Sequence, residues 1–179
     1  MLPDSASIIG LIIEYLALLG YLLNDSKPIL SMETARGFSS SVVEGQDLII
    51  FGGINGLGIS SIERVSVKTK SSSIIGQMPF TLAYGCAAKD DKGKIILAGG
   101  LLNYAVSSTT WTTSMKDLGS WTKGPDLPVK RFGQACGIFP DLDLFVVVGG
   151  SDGVSIQKST DFWSISTSNS YQKGNQFQL

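Results

Sequence analysis

An all-β fold built from three repeated units is predicted by three observations. Gly-Gly pairs close the runs "DLIIFGG", "KIILAGG" and "LFVVVGG", at Gly52-Gly53, Gly99-Gly100 and Gly149-Gly150, with starts 47 and 50 residues apart. Short stretches of β-branched and aromatic residues alternate with Gly, Pro, Asn, Asp and Ser turns, which is the signature of short strands joined by tight loops. The runs "IILAGG" and "FVVVGG" are continuously apolar, as strands covered on both faces are.

The rest of each unit falls in step with its glycines. Some 16 to 18 residues before each pair lies a turn and a strand of small residues: "METARGFSSSVV" from Met32, "MPFTLAYGCAAK" from Met78 and "LPVKRFGQACGIF" from Leu127. The glycines end the apolar strand and admit backbone angles closed to other residues. Another strand follows, at Ile62–Val67, Thr109–Ser114 and Thr160–Ile165. A fourth segment closes the unit, clearest in "GSWTKGPDLP" from Gly119, with Tyr171 of "NSYQKG" in the place of Trp121 and an aliphatic residue in "SSIIGQMP". Trp111, Trp121, Trp163 and Tyr171 are read as structural aromatics, large enough to fill the space between units. A phosphate-binding loop at "GGINGLG" is set aside: no Lys-Ser/Thr pair follows, and Ile62, Val65 and Val67 offer a strand rather than a helix N-terminus.

Taken together, these residues resemble the kelch motif: an Arg-containing turn, a small-residue strand, an aliphatic strand ending in Gly-Gly, an aromatic-bearing strand and a strand with Trp. The resemblance runs from about Met32 to Gly174; the first unit lacks the Trp, and Ala83 stands where Arg36 and Arg131 stand in the other units. It implies a partial kelch-type β-propeller of about three four-stranded blades. The blades are expected over residues 31–79, 80–128 and 129–179, after an apolar segment within residues 1–30. Rings of this kind close with about four to eight blades. The chain is therefore expected to be part of a longer propeller, an incomplete gene product, or a protomer that completes its ring by association, with self-association through open blade edges.

Ile8–Leu23 is apolar except for Glu14. It is shorter than the roughly 20 residues of a membrane span, and it lacks the basic lead and small-residue cleavage site of a secretory signal. A packed segment against the first unit is expected there, with a signal or anchor as the alternative; Asn24-Asp25-Ser26 would then be a glycosylation sequon.

The chain has 179 residues, 43% hydrophobic and 16% charged, with a net charge of −1. That balance argues against a nucleic-acid partner. The sequence contains no histidine, which removes Ser-His-Asp and Cys-His nucleophile systems and histidine-ligated metals. The copper-radical sugar oxidases of the kelch family need such ligands. Asp90-Asp91 and Asp141/Asp143 read as turn residues; no metal site or cofactor is expected. Cys86 and Cys136 would lie on equivalent strands of adjacent units. Buried free thiols are the expected state, suiting a reducing compartment, with a bridge as the alternative.

In a propeller, the loops after Gly-Gly share one end with the loops leading into the next blade. That end carries Arg36, Asn55, Asn103, Tyr104, Lys130, Arg131, Phe132, Asp152 and Lys158. Cationic, amide and aromatic groups suit recognition of a protein segment, while Arg36 and Arg131 also read as turn arginines bonded to neighbouring carbonyls. The resemblance implies a non-catalytic protein-interaction scaffold, cytoplasmic, with a protein partner and no membrane role. The alternatives are a secreted recognition module, if the N-terminal segment is a signal, and a kelch-fold sugar-modifying enzyme.

Overall fold

The computed structural model describes residues 30–174, so the expectations for Ile8–Leu23 and for the Asn24 sequon lie outside the described residues. The chain divides into two units, Met1–Ser31 and Met32–Leu179; the architecture below belongs to the second. It is all-β, with four antiparallel sheets of three or four strands, none of them closed. Among the described residues, no helix is long and apolar enough to cross a membrane.

The first four-stranded sheet contains β1 (Ser40–Glu44), β2 (Asp47–Phe51), β5 (Ser61–Ser66) and β6 (Ser71–Gln77), with a small hairpin of β3 (Ile54–Asn55) and β4 (Leu57–Gly58) between β2 and β5. In the second unit β8 (Cys86–Lys89), β9 (Lys94–Ala98), β12 (Thr110–Ser114) and β13 (Asp117–Lys123) repeat that order. Here β7 (Leu82–Ala83), β10 (Leu101–Leu102) and β11 (Ala105–Val106) form the three-stranded sheet. The third four-stranded sheet is β14 (Ala135–Phe139), β15 (Leu144–Val148), β16 (Thr160–Ser164) and β17 (Gln172–Lys173). Each four-stranded sheet is a simple meander, as tight turns between antiparallel neighbours dictate. The first strands lie side by side, β8 between β1 and β14, and β6 lies beside β13.

Register makes the units comparable residue by residue. Phe51, Ala98 and Val148 each precede a glycine pair; they pair with Ser40, Cys86 and Ala135 on one side and with Ile62, Thr110 and Thr160 on the other. The glycines that follow join one unit to the next. Gly53 donates its N–H to Leu82 O at 2.8 Å, and Gly100 to Arg131 O at 2.7 Å. Gly99 has φ +60°, and a Cβ there would sit 2.7 Å from Arg131 O and 2.6 Å from Gln134 Nε2. Only glycine combines that angle with that approach.

Two apolar clusters fill the spaces between sheets. Val42, Ile49, Phe51 and Ile62 of the first sheet meet Ile95 and Leu97 of the second, with Trp111 and Trp121 packed against them. Ile96 and Ala98, on the opposite face of the second sheet, meet Phe145, Val147, Trp163 and Tyr171. Trp121 and Trp163 place their indole N–H groups on Leu118 O (3.0 Å) and Ser168 O (2.7 Å), and the Tyr171 hydroxyl meets Thr110 Oγ1 at 2.9 Å. Burial pushes the Tyr171 phenol well above its usual range. Among the described residues, no sheet covers the far face of the third sheet. Ile49 and Ile96 are fully buried while their counterpart Val146 is half-buried, and Val148 is 46% exposed where Phe51 and Ala98 are covered. Val146 lines an open groove of about 980 Å³ with Phe139, Leu142 and Leu144.

The expectation of free thiols is corrected: Cys86 and Cys136 form a disulfide across β8 and β14, with Cα atoms 5.9 Å apart. Residues at equivalent positions of two stacked sheets point the same way, one toward its neighbour and one away. Register makes Cys86 equivalent to Ala135, so Cys136 is offset by one residue. In a strand of period two that offset turns its side chain to face Cys86.

The glycine pairs yield a graded stability prediction. Gly149→Val should cost about 1–3 kcal/mol through its left-handed backbone alone, since the nearest atom to an added Cβ is Gln157 O at 3.7 Å. Gly99→Val, which also collides with the next unit, should cost clearly more. Urea denaturation of both variants measures this, and equal losses would remove the joining role from Gly99.

Candidate recognition surface

Arg36 and Arg131 sit at the same place in their units and do the same work. Gly37 pairs with Ile54 and Phe132 with Ser151, each one residue after the arginine. Arg36 donates to Gly52 O (2.8 Å), Ser61 O (3.1 Å), Ser61 Oγ (2.9 Å) and Glu63 Oε2 (2.7 Å). Arg131 donates to Gly149 O (3.1 Å), Ser159 Oγ (3.1 Å) and Asp161 Oδ2. Both guanidinium side chains are fully buried. The expectation that these arginines present themselves to a partner is corrected: each fastens its turn to the end of the glycine strand and to the third strand of its sheet, so its donors are spent inside the fold.

The middle unit does without the pair. Ala83 pairs with Leu101, which makes Leu82, and not Ala83, the counterpart of the arginines. Trp111 pairs with Leu97 as Glu63 does with Ile50 and Asp161 with Val147, so it occupies the acid's position. Leu82 and Trp111 belong to one apolar cluster. Both charges are replaced together, which leaves no lone ion buried. The two surviving pairs differ at the acid's second oxygen. Glu33 N–H donates to Glu63 Oε1 at 2.6 Å, but Pro128, equally far before Arg131, has no N–H, and Asp161 Oδ1 has no hydrogen-bond partner among the described residues.

Two residues after the arginine position, Phe38, Tyr84 and Gly133 share a left-handed backbone, with φ of 56°, 53° and 66°. Tyr84 N–H donates to Phe38 O and Gly133 N–H to Tyr84 O, both at 2.8 Å. The rings follow that backbone row. Phe38 stacks on Tyr84 at 4.1 Å and 18°, and Phe132 meets Tyr84 edge-on at 6.0 Å. Phe38 is 60% exposed. Of the residues singled out in the sequence, the structure brings Phe132 into this row.

The others are distributed over the loops. Tyr104 is exposed, and its hydroxyl accepts the Gly58 N–H at 2.6 Å, tying the second unit's loop to the first unit's hairpin. Asn103 Oδ1 accepts Thr81 N–H at 3.0 Å. The Asp152 carboxylate accepts the N–H groups of Ser155 and Val154, which hold its carboxyl below the usual range. Asn103 and Asp152 thus shape their loops, whereas Asn55 and Lys130 are exposed. Phe38 and Tyr84 were not singled out in the sequence. Their signal was the aligned triplets "RGF", "LAY" and "RFG", each carrying one aromatic, which can be aligned only once Leu82 is matched to the arginines.

At the other ends of the strands, Asp90 Oδ1 accepts the N–H groups of Lys92 and Lys94, and Asp143 Oδ2 accepts that of Ser166. Both are turn-shaping carboxylates. Among the described residues no group of three His, Cys, Asp or Glu could hold a metal ion. No protein-family model matches the chain, and no curated protein matches it in sequence.

The buried pair predicts strong coupling. Arg131→Leu should cost about 3–5 kcal/mol, because it strands the Asp161 charge, and Arg131→Leu with Asp161→Leu should cost far less than the sum of the single changes. Chemical denaturation of the four proteins measures the cycle; additive losses would refute the tie. Acid should expose the first pair. Burial raises the Glu63 carboxyl, but hydrogen bonds from Ser72 and the Glu33 N–H and the charge of Arg36 outweigh it, leaving the group below its ordinary 4.5. Its stabilisation is present above that value and is lost as pH falls through the lower folded one. Glu63→Gln should therefore flatten the acid limb of the stability curve, and an unchanged acid limb would count against it.

Proposed function

We propose that this chain is a non-catalytic protein-interaction module built from kelch-type propeller blades, and that it presents Phe38, Tyr84 and Phe132 as its recognition surface. What supports the blade reading is the shared register of three four-stranded meanders, with their first strands side by side and glycine pairs at equivalent positions. The observation that carries the recognition reading is backbone strain. A left-handed φ is uncommon for a bulky residue and costs of the order of 1 kcal/mol or more. The third unit meets the same requirement with Gly133, yet the first two keep aromatic residues there and stack them at the surface. Stacking returns about 0.5–1.5 kcal/mol, too little to make stability the reason for keeping both rings.

A protein segment suits this end better than a sugar or a metal. The carboxylates of Glu63, Asp161 and Asp152 and the Asn103 amide oxygen are all engaged internally. Ring faces and the Lys130 amine remain, and exposed aromatic anchors are typical of protein contacts. The uncovered face of the third sheet is where we place self-association, since its apolar residues are the register counterparts of those that the other sheets bury. A second reading, an extracellular recognition module, draws support from the Cys86–Cys136 bridge, because disulfides persist mainly in oxidising compartments.

Selection from a displayed peptide library on the purified protein tests the surface. Phe38→Gly and Tyr84→Gly should change stability by no more than about 1 kcal/mol, as strain relief offsets the lost stack, and should reduce binding of the selected peptides at least tenfold. Peptides that bind both variants undiminished, or a library that yields none, would overturn the assignment.

A further inference from the structure

We propose that the Cys86–Cys136 bridge is a redox latch on the row Phe38–Tyr84–Phe132, a regulation that rests on reading that row as the recognition surface. The bridge lies beside it: Cys86 is two residues beyond Tyr84, and Cys136 is three beyond Gly133, whose N–H holds Tyr84 O at 2.8 Å. Oxidation therefore clamps the two strands that follow Tyr84 and Phe132, the residues of the edge-on contact.

The junction it clamps is poorly supported from elsewhere. Among the described residues, the third sheet packs through one face, its other face carrying the open groove beside Val146. None of the five residues of β14 is buried, whereas β8 buries Cys86 and Ala88, and β1 buries Ser40 and Val42. Of the other ties between the second and third sheets, the Gly133–Tyr84 bond lies in the row itself and Ile138 of β14 packs, partly covered, against the shared apolar cluster; the rest act elsewhere. Gly100 holds Arg131 O, and Gln134 Nε2 reaches Ala98 O at 2.6 Å, both ahead of β14, while Thr110 meets Tyr171 at the far edge. Along β14 itself the bridge is the covalent hold, and local stability follows such differences in support.

The chemistry needs a dithiol reductant. Its thiolate attacks one sulfur of the bridge, and Cys136, the half-buried partner, is the more accessible. The S–S bond breaks through a mixed disulfide, which the second thiolate of the reductant resolves. The reductant ends as a disulfide; Cys86 and Cys136 take up two electrons and two protons and end as thiols. β14 then loses its covalent hold on β8, and the Tyr84–Phe132 contact is left to the Gly100–Arg131 and Gly133–Tyr84 backbone bonds on either side of Phe132, while the Phe38–Tyr84 stack and the first sheet stay in place.

Hydrogen exchange of the purified full chain, with and without dithiothreitol, reads the latch without any ligand. Amides of residues 133–139 should exchange at least tenfold faster after reduction, and those of β1 and β2 should not change. Cys86→Ser with Cys136→Ser should exchange like the reduced protein and ignore dithiothreitol; if that variant does not fold, reduced wild-type protein carries the test. Two alkylatable thiols in protein purified without reductant, no change on reduction, or a uniform change across all sheets would each overturn the latch. A latch that works while selected peptides ignore the row would leave the device standing and remove the binding surface, so the two failures are distinguishable.

Discussion

A sheet edge can be passed to the next sheet only if two backbones come close enough to share a hydrogen bond, and side chains normally prevent this. Here the obstacle is removed at one repeated place. Gly53 reaches Leu82 O and Gly100 reaches Arg131 O, each from the second residue of a pair whose first member ends the apolar strand. Because the contact is made at the end of that strand, it fixes where the next unit begins relative to the previous one. The facing apolar rows, Ile49 and Phe51 against Ile95 and Leu97 and then Ile96 and Ala98 against Phe145 and Val147, follow from that placement. Burial of this kind supplies most of the stabilising free energy, but it is non-directional and sets no angle. The glycine contact supplies the geometry that burial lacks.

The arginine pairs work within a unit as the glycines work between units. Arg36 and Arg131 gather two backbone strands and one carboxylate through a single planar fork, which suits a guanidinium because its donors diverge at fixed angles. Leu82 and Trp111 fill the same space without charge. That exchange shows that the position demands bulk and closure, and that a charge is acceptable there only when its partner is present. Asp161 sits at the limit of that rule, since Pro128 removes the N–H that Glu33 supplies to Glu63 in the first unit.

Much of this was legible in the sequence. The glycine spacing located the three apolar strands, and the counterpart relation of Trp121 and Tyr171 holds in the register, where Lys123 and Lys173 oppose Trp111 and Asp161. What escaped depended on single-residue shifts. Arg36, Leu82 and Arg131 stand 16, 17 and 18 residues before their glycine pairs, because the intervening hairpins differ in length, and a fixed count of 16 selects Ala83. The same shift hid Cys136 from Cys86 and hid Tyr84 from Phe38. Trp111 was grouped with Trp163 by residue type, although it stands two residues earlier in its strand, in the acid's place. The arginines carried two readings in the sequence, as contacts for a partner and as turn arginines bonded to neighbouring carbonyls, and the hydrogen bonds to Gly52 O, Ser61 O and Gly149 O bear out the second.

Strain, exposure and poor support occur together along the row. Phe38 and Tyr84 take left-handed angles at the surface, and past Gly133, the third residue of that backbone row, the chain enters β14, a strand with no buried residue. A fold selected for stability alone would place glycine at each of those turns, as at Gly133. This one keeps rings where glycine would serve, and secures the weakest of the adjoining strands with a covalent bond that can be broken chemically. A non-covalent contact at that position would compete with solvent at every moment. The disulfide instead ties β14 to β8 covalently until it is reduced, after which the strand keeps its pairing with β15 and the partial cover of Ile138. Under the proposed latch, Phe132 stays tied by the backbone bonds on either side of it, and it is the strand beyond it whose support can be switched.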